Sequence, residues 1–121
     1  MAENNIGPKR LVVGAHYGMR DWLAQRVTAI IMAIYTVILL VSFLTAKNFS
    51  YDGWKGMFSQ QWFKLLTLVV LTSLFYHAWV GVRDIWMDYV KSVALRLFLQ
   101  VATIVWLVAC AFWAVQILWR V

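Results

Sequence analysis

Few groups in this 121-residue chain can do chemistry: it has two histidines and five carboxylates. His77 lies in the stretch Leu65 to Val82, which contains no charged residue and no other histidine. A polar side chain inside so apolar a segment is costly and needs a partner. Neutral imidazole binds iron well, so one role open to His77 is axial ligation of a haem. The other is a hydrogen bond to a neighbouring helix. Ser73 and Gly81 stand at i−4 and i+4 from it, on the same helical face. That stripe of small residues suits either a flat porphyrin plane or close helix packing.

A second group lies further on. If the helix of His77 continues past Arg83, Asp84 and Asp88 fall on its stripe, and Asp88 and Tyr89 lie roughly 17 Å along the axis from the imidazole. A phenol beside a carboxylate, reachable from both lipid and water, can bind and protonate a quinone. The plainer alternative is a Tyr in a membrane aromatic belt, with Asp88 paired to Lys91 on a solvated turn. Arg26, with Thr28 just after it, is either a snorkelling anchor or a partner for an anion such as a haem propionate. His16, Tyr17 and Arg20 form a polar segment able to dock a soluble partner. The tryptophans Trp79, Trp86, Trp106, Trp113 and Trp119 are most simply packing and interface residues.

The composition dictates the elements that must hold these groups. The chain is 64% hydrophobic and 13% charged, against about 45–50% and about 25% in soluble domains. So small a body cannot hide that excess, so lipid must cover much of its surface. An aromatic content of 17% excludes disorder. The single cysteine, Cys110, excludes an internal disulfide framework and a cysteine-held metal cluster. Three uncharged runs, 27–46, 65–82 and 97–119, extend roughly 30, 27 and 35 Å as helices, enough to cross a hydrocarbon core about 30 Å thick. They total 61 of the 121 residues, which leaves no room for a soluble catalytic domain. The first run is too long for a signal peptide and is expected to remain in the mature protein.

Between the first two runs, Tyr51, Trp54, Phe58 and Trp62 recur every three or four residues. This pattern predicts a short amphipathic helix lying in the membrane interface, weakened by Gly53 and Gly56. The expected fold is thus an all-α membrane protein: a 1–26 N-terminal segment, three transmembrane helices, and a short interfacial amphipathic helix between the first and second. Seven cations, Lys9, Arg10, Arg20, Arg26, Arg83, Lys91 and Arg96, fall on one side; four, Lys47, Lys55, Lys64 and Arg120, fall on the other. The positive-inside rule places the N-terminus in the cytoplasm and the C-terminus outside. Dispersed at helix ends, the cations suit topology and anionic headgroups; no nucleic-acid patch is formed.

The run His77-Ala78-Trp79-Val80-Gly81, followed by Asp88-Tyr89-Val90-Lys91 and Ala94-Leu95-Arg96-Leu97, resembles the smaller membrane-anchor family of bacterial succinate dehydrogenase (succinate:ubiquinone oxidoreductase). The resemblance extends back through Asp21-Trp22-Leu23-Ala24-Gln25-Arg26-Val27-Thr28 and the Tyr51 to Lys64 loop. It implies a non-dehydrogenase subunit in the bacterial inner membrane, with a periplasmic C-terminus. Its implied partners are a second hydrophobic anchor subunit, the cytochrome b subunit, together with an iron-sulfur subunit and a flavoprotein subunit. It further implies that His77 is one axial ligand of a haem b shared with the partner anchor and that Arg26 neighbours the propionates. Tyr89 would bind ubiquinone, with Asp88 in the same site, in respiratory electron transfer and the tricarboxylic acid cycle. Arg20 and Asp84 depart from the enterobacterial pattern, and no role passes to them.

One intramembrane histidine offers iron one ligand, so a six-coordinate haem requires a second chain. Two other classes compete: a haem-free structural anchor of a fumarate reductase-type complex, and a small transporter or pore subunit. The second is disfavoured because all five acids fall outside the apolar runs, whereas ion-coupled transporters commonly place one within a span.

Overall fold

The computed structural model describes the backbone of residues 15–121 and side chains from Gly18 onward. The His16 and Tyr17 side chains, assigned to a docking segment, lie outside what is described. Four helices follow one another: α1 (Ala15–Thr45), α2 (Tyr51–Ser59), α3 (Gln61–Tyr89) and α4 (Val93–Arg120). Three of them, from Gly18, Gln61 and Val93, are long and apolar enough to cross a membrane, and the short α2 sits between the first two. Helix is the required solution in lipid, because no water is there to satisfy backbone N–H and C=O groups. Each long helix outruns its uncharged stretch, since the charged residues flanking the apolar runs extend the helices instead of ending them. Accordingly α3 continues through Arg83 to Tyr89, and Asp84 and Asp88 share a helix with His77.

The stops have local causes. Ser50 accepts a hydrogen bond from the Gly53 N–H at 3.3 Å and caps α2, with Asp52 in its first turn; Ser92 caps α4 in the same way from the Leu95 N–H. Gln60 adopts an extended conformation, with φ −69° and ψ 126°, and separates α2 from α3. Trp62 therefore belongs to α3 and leaves the expected four-residue aromatic face. Of that face Trp54 and Phe58 turn inward: Phe43, Trp54, Phe58 and Phe63 form a chain of ring contacts with centroids 5.0–6.5 Å apart. Tyr51 and Trp62 remain exposed. Gly53 is required by the turn, because a Cβ there would sit 2.5 Å from the Asn48 carbonyl oxygen, whereas Gly56 faces open space.

Helix α3 is central and packs against α1, α2 and α4. Its buried side chains, Phe63, Thr67, Val70, Ser73 and Val80, recur mostly at three- and four-residue steps and form the seam. The core gathers around Phe63, Val70 and Tyr35, with Phe63 only 1% exposed. Polar pairs pin the seam. Thr67 donates to the Phe63 carbonyl at 2.8 Å, and its oxygen lies 2.6 Å from the Tyr35 hydroxyl. Likewise Thr103 donates to the Leu99 carbonyl at 2.7 Å and accepts from the Trp86 indole N–H at 3.0 Å. Both place a threonine hydroxyl between its own helix and a donor on the next. The remaining large apolar side chains mostly face outward, notably along α4.

Candidate functional site

The half-buried His77 on α3 faces Thr28 on α1, with Nδ1 3.0 Å from Thr28 Oγ1. Thr28 is 8% exposed, and its hydroxyl donates to the Ala24 carbonyl at 2.6 Å. Three residues earlier, Gln25 sends its Nε2 across to the His77 carbonyl oxygen at 3.2 Å. A Cβ at Gly81 would stand 3.9 Å from that same Nε2. Close helix packing is thus the use this structure makes of Gly81, while Ser73 is buried. The hydrogen-bonding role open to His77 is realised, and it uses only one ring nitrogen. Among the described residues, the buried side-chain polar atoms without partners are Gln25 Oε1 and Arg83 Nε. His77 Nε2 is not among them, so it opens to the outside of the chain with no hydrogen-bond partner in it.

Towards the Tyr89 end of α3, Arg83 pairs with Asp21 of α1 and lies 3.5 Å from Asp84. Asp21, Gln25 and Thr28 stand at i, i+4 and i+7 on α1, so one polar stripe meets Arg83 and His77 on α3. Beside it opens a cleft of about 370 Å³ whose walls include Asp21, Gln25, Arg26, Val80 and Asp84. Arg26 is exposed, its guanidinium 5.4 Å above the Trp22 ring, a cation–π arrangement. A guanidinium so placed is available to an anion approaching from outside.

Asp88 and Tyr89 close α3, and both are exposed, Tyr89 to 80%. The alternative pairing of Asp88 with Lys91 is not formed among the described residues, where Arg83 makes the ion pairs shown. Val90 ends the helix in an extended conformation. The phenol and the carboxylate consequently stand at the helix end with their polar groups uncommitted to this fold, about 17 Å of helix axis from His77. Among the described residues, no three of His, Cys, Asp and Glu gather as a metal-binding cluster. A metal held by this chain through His77 would need its other ligands from elsewhere.

Comparison with known proteins sets these groups in a family. Residues 2–114 match the model of the succinate dehydrogenase/fumarate reductase transmembrane subunit. The chain belongs to this family. It is similar to the succinate dehydrogenase hydrophobic membrane anchor subunit of Coxiella burnetii, 40% identical over 102 residues that cover 84% of this chain and 89% of that one. It is also similar to the subunit of the same name from Rickettsia felis, 31% identical over 86 residues covering 71% and 72% of the two chains. The succinate dehydrogenase/fumarate reductase match takes in Arg26, His77, Asp88 and Tyr89 alike. It also takes in Asp21, Gln25, Thr28 and Arg83, whose contacts across the seam the sequence analysis does not single out. A signal for them exists: three polar residues at i, i+4 and i+7 where an apolar helix begins imply a facing polar stripe.

Proposed function

We propose that this chain is a hydrophobic membrane-anchor subunit of a succinate:quinone oxidoreductase, holding part of a haem b and part of a ubiquinone-reduction site. The observation that carries the haem half is the division of labour on His77. Nδ1 is engaged inside the chain by Thr28, and Nε2 opens outward, as an iron ligand shared with a second anchor requires. The donor set fits: one imidazole from this chain, the other from the partner anchor, and Arg26 free to pair with a propionate. When bound, the haem supplies a one-electron store near the quinone site. The chain's own residues orient the imidazole, present the guanidinium and line the seam against water.

The quinone half rests on the exposed Asp88-Tyr89 pair at the end of α3. The Tyr89 hydroxyl donates to a quinone carbonyl, and the Asp88 carboxylate beside it can hold or relay a proton. Succinate oxidation itself belongs to the flavoprotein and iron-sulfur subunits, whose electrons reach this end of the anchor. The surplus of cations on that side of the chain supports a cytoplasmic location for it and a periplasmic C-terminus, in a bacterial inner membrane.

The test uses the purified complex. Tyr89→Phe lowers ubiquinone reduction by about 10- to 100-fold, towards the lower part of the range for a positioned proton donor, while succinate oxidation by a soluble artificial acceptor stays at the wild-type rate. Equal loss of both activities would mean failed assembly, and loss of neither would remove Tyr89 from the site. Mild-detergent purification that recovers no flavoprotein or iron-sulfur partner would overturn the anchor reading.

A further inference from the structure

We infer that Thr28 is a positioning residue for the haem ligand: its hydroxyl oxygen accepts the His77 Nδ1 proton, fixes the tautomer, and so leaves Nε2 as the iron-binding nitrogen. The inference rests on the proposed haem role of His77 and deepens it.

Proton counting sets the direction of the bond. A threonine hydroxyl has one proton and can donate once. Thr28 Oγ1 lies 2.6 Å from the Ala24 carbonyl oxygen and 3.0 Å from His77 Nδ1. Two oxygens that close with no proton between them repel, so the hydroxyl proton belongs on the Ala24 side. The oxygen then faces Nδ1 with lone pairs only, and Nδ1 must carry the ring's proton. In a neutral imidazole the lone pair falls to Nε2.

The same construction appears twice more in this molecule, and one instance fixes its direction. Thr103 donates to its i−4 carbonyl and accepts from Trp86, and an indole N–H can only donate. Thr67 donates to its i−4 carbonyl and meets the Tyr35 hydroxyl. In each case a back-bonded threonine is an acceptor for a donor on the neighbouring helix. Thr28 differs only in that its donor is a ring whose second nitrogen is thereby made basic. Gln25 Nε2, bonded to the His77 carbonyl, holds the same residue by its backbone, so both the ring and its anchor point are registered on α1.

A hydrogen bond accepted from the non-coordinating nitrogen raises the basicity of the ligating one and favours the oxidised iron. Removing the acceptor should weaken haem retention and raise its potential. The experiment compares the purified complex carrying Thr28→Val, Thr28→Ala, Thr28→Ser and, as a seam control, Thr67→Val. The readouts are potentiometric titration of the b-type absorbance and the rate of haem loss to an excess of apomyoglobin. Thr28→Val and Thr28→Ala are expected to shift the midpoint potential positive and to lose haem about tenfold faster, the lower end of the range for groups that hydrogen-bond a metal-bound imidazole. Thr28→Ser, which keeps the hydroxyl, should match wild type, as should Thr67→Val.

Wild-type potential and retention in Thr28→Val or Thr28→Ala would overturn the inference alone, as would a Thr28→Ser shift as large as that of Thr28→Val. A wild-type complex with no b-type absorbance would instead overturn the haem reading on which the inference rests.

Discussion

At the scale of single residues, the molecule concentrates its polar side chains at one end of the α1–α3 seam, and each has a partner or an outlet. Arg83 is the clearest case. It pairs with Asp21 across the helices, both side chains being partly solvent-accessible, so the pair itself is worth only about 0–1 kcal/mol. Removing one partner costs more than the pair is worth, because it strands the other. Asp21→Ala is therefore expected to lower complex stability by about 1–3 kcal/mol. The double variant Asp21→Ala with Arg83→Met should recover part of that loss. Thermal melts of wild type, the two single variants and the double variant give the coupling directly; strict additivity would show that the two side chains do not interact.

At the scale of elements, the turn from α1 into α2 and the break between α2 and α3 decide which aromatics reach lipid. The two glycines of α2 have opposite standing. Gly53→Ala pushes a methyl group against the Asn48 carbonyl and should destabilise the complex. Gly56→Ala meets open space and should stabilise α2 by up to about 1 kcal/mol through helix propensity. Melting temperatures of the two variants moving in the same direction would contradict this reading of the turn. The element boundaries also show what periodicity can and cannot reveal. Three apolar runs are legible because lipid imposes length and composition, and α2 because its aromatics recur at helical spacing. The assignment of Trp62 to α3 is not legible, because the i+4 step from Phe58 continues across Gln60 as if the helix did. The break is a backbone event that side-chain spacing does not register.

At the scale of the whole molecule, the described side chains bury few residues, and large apolar groups such as Phe98, Trp106, Phe112 and Trp113 cover the outside of α4. This is the surface of a chain made for lipid and for a hydrophobic partner. His77 is recognisable in the sequence because no other histidine falls in an apolar run. The part Thr28 plays is not, because a threonine in a helix carries no mark of which carbonyl and which neighbour share its hydroxyl. Orientation is checked on the same scale. In a Cys110→Ser background, Lys47→Cys should react with a membrane-impermeant thiol reagent added to intact cells, and Lys91→Cys only after the inner membrane is opened. The reverse pattern would invert the topology and move the Asp88-Tyr89 end away from a cytoplasmic dehydrogenase.

The function proposed for this chain turns on His77 as a ligand shared with a second chain, and a reduced-minus-oxidised difference spectrum of the purified complex tests it most directly. Wild type should show a b-type signal that His77→Ala abolishes or severely depletes while the partner subunits still copurify. A b-type signal unchanged in His77→Ala, or a colourless wild-type complex that reduces ubiquinone at full rate, would contradict it.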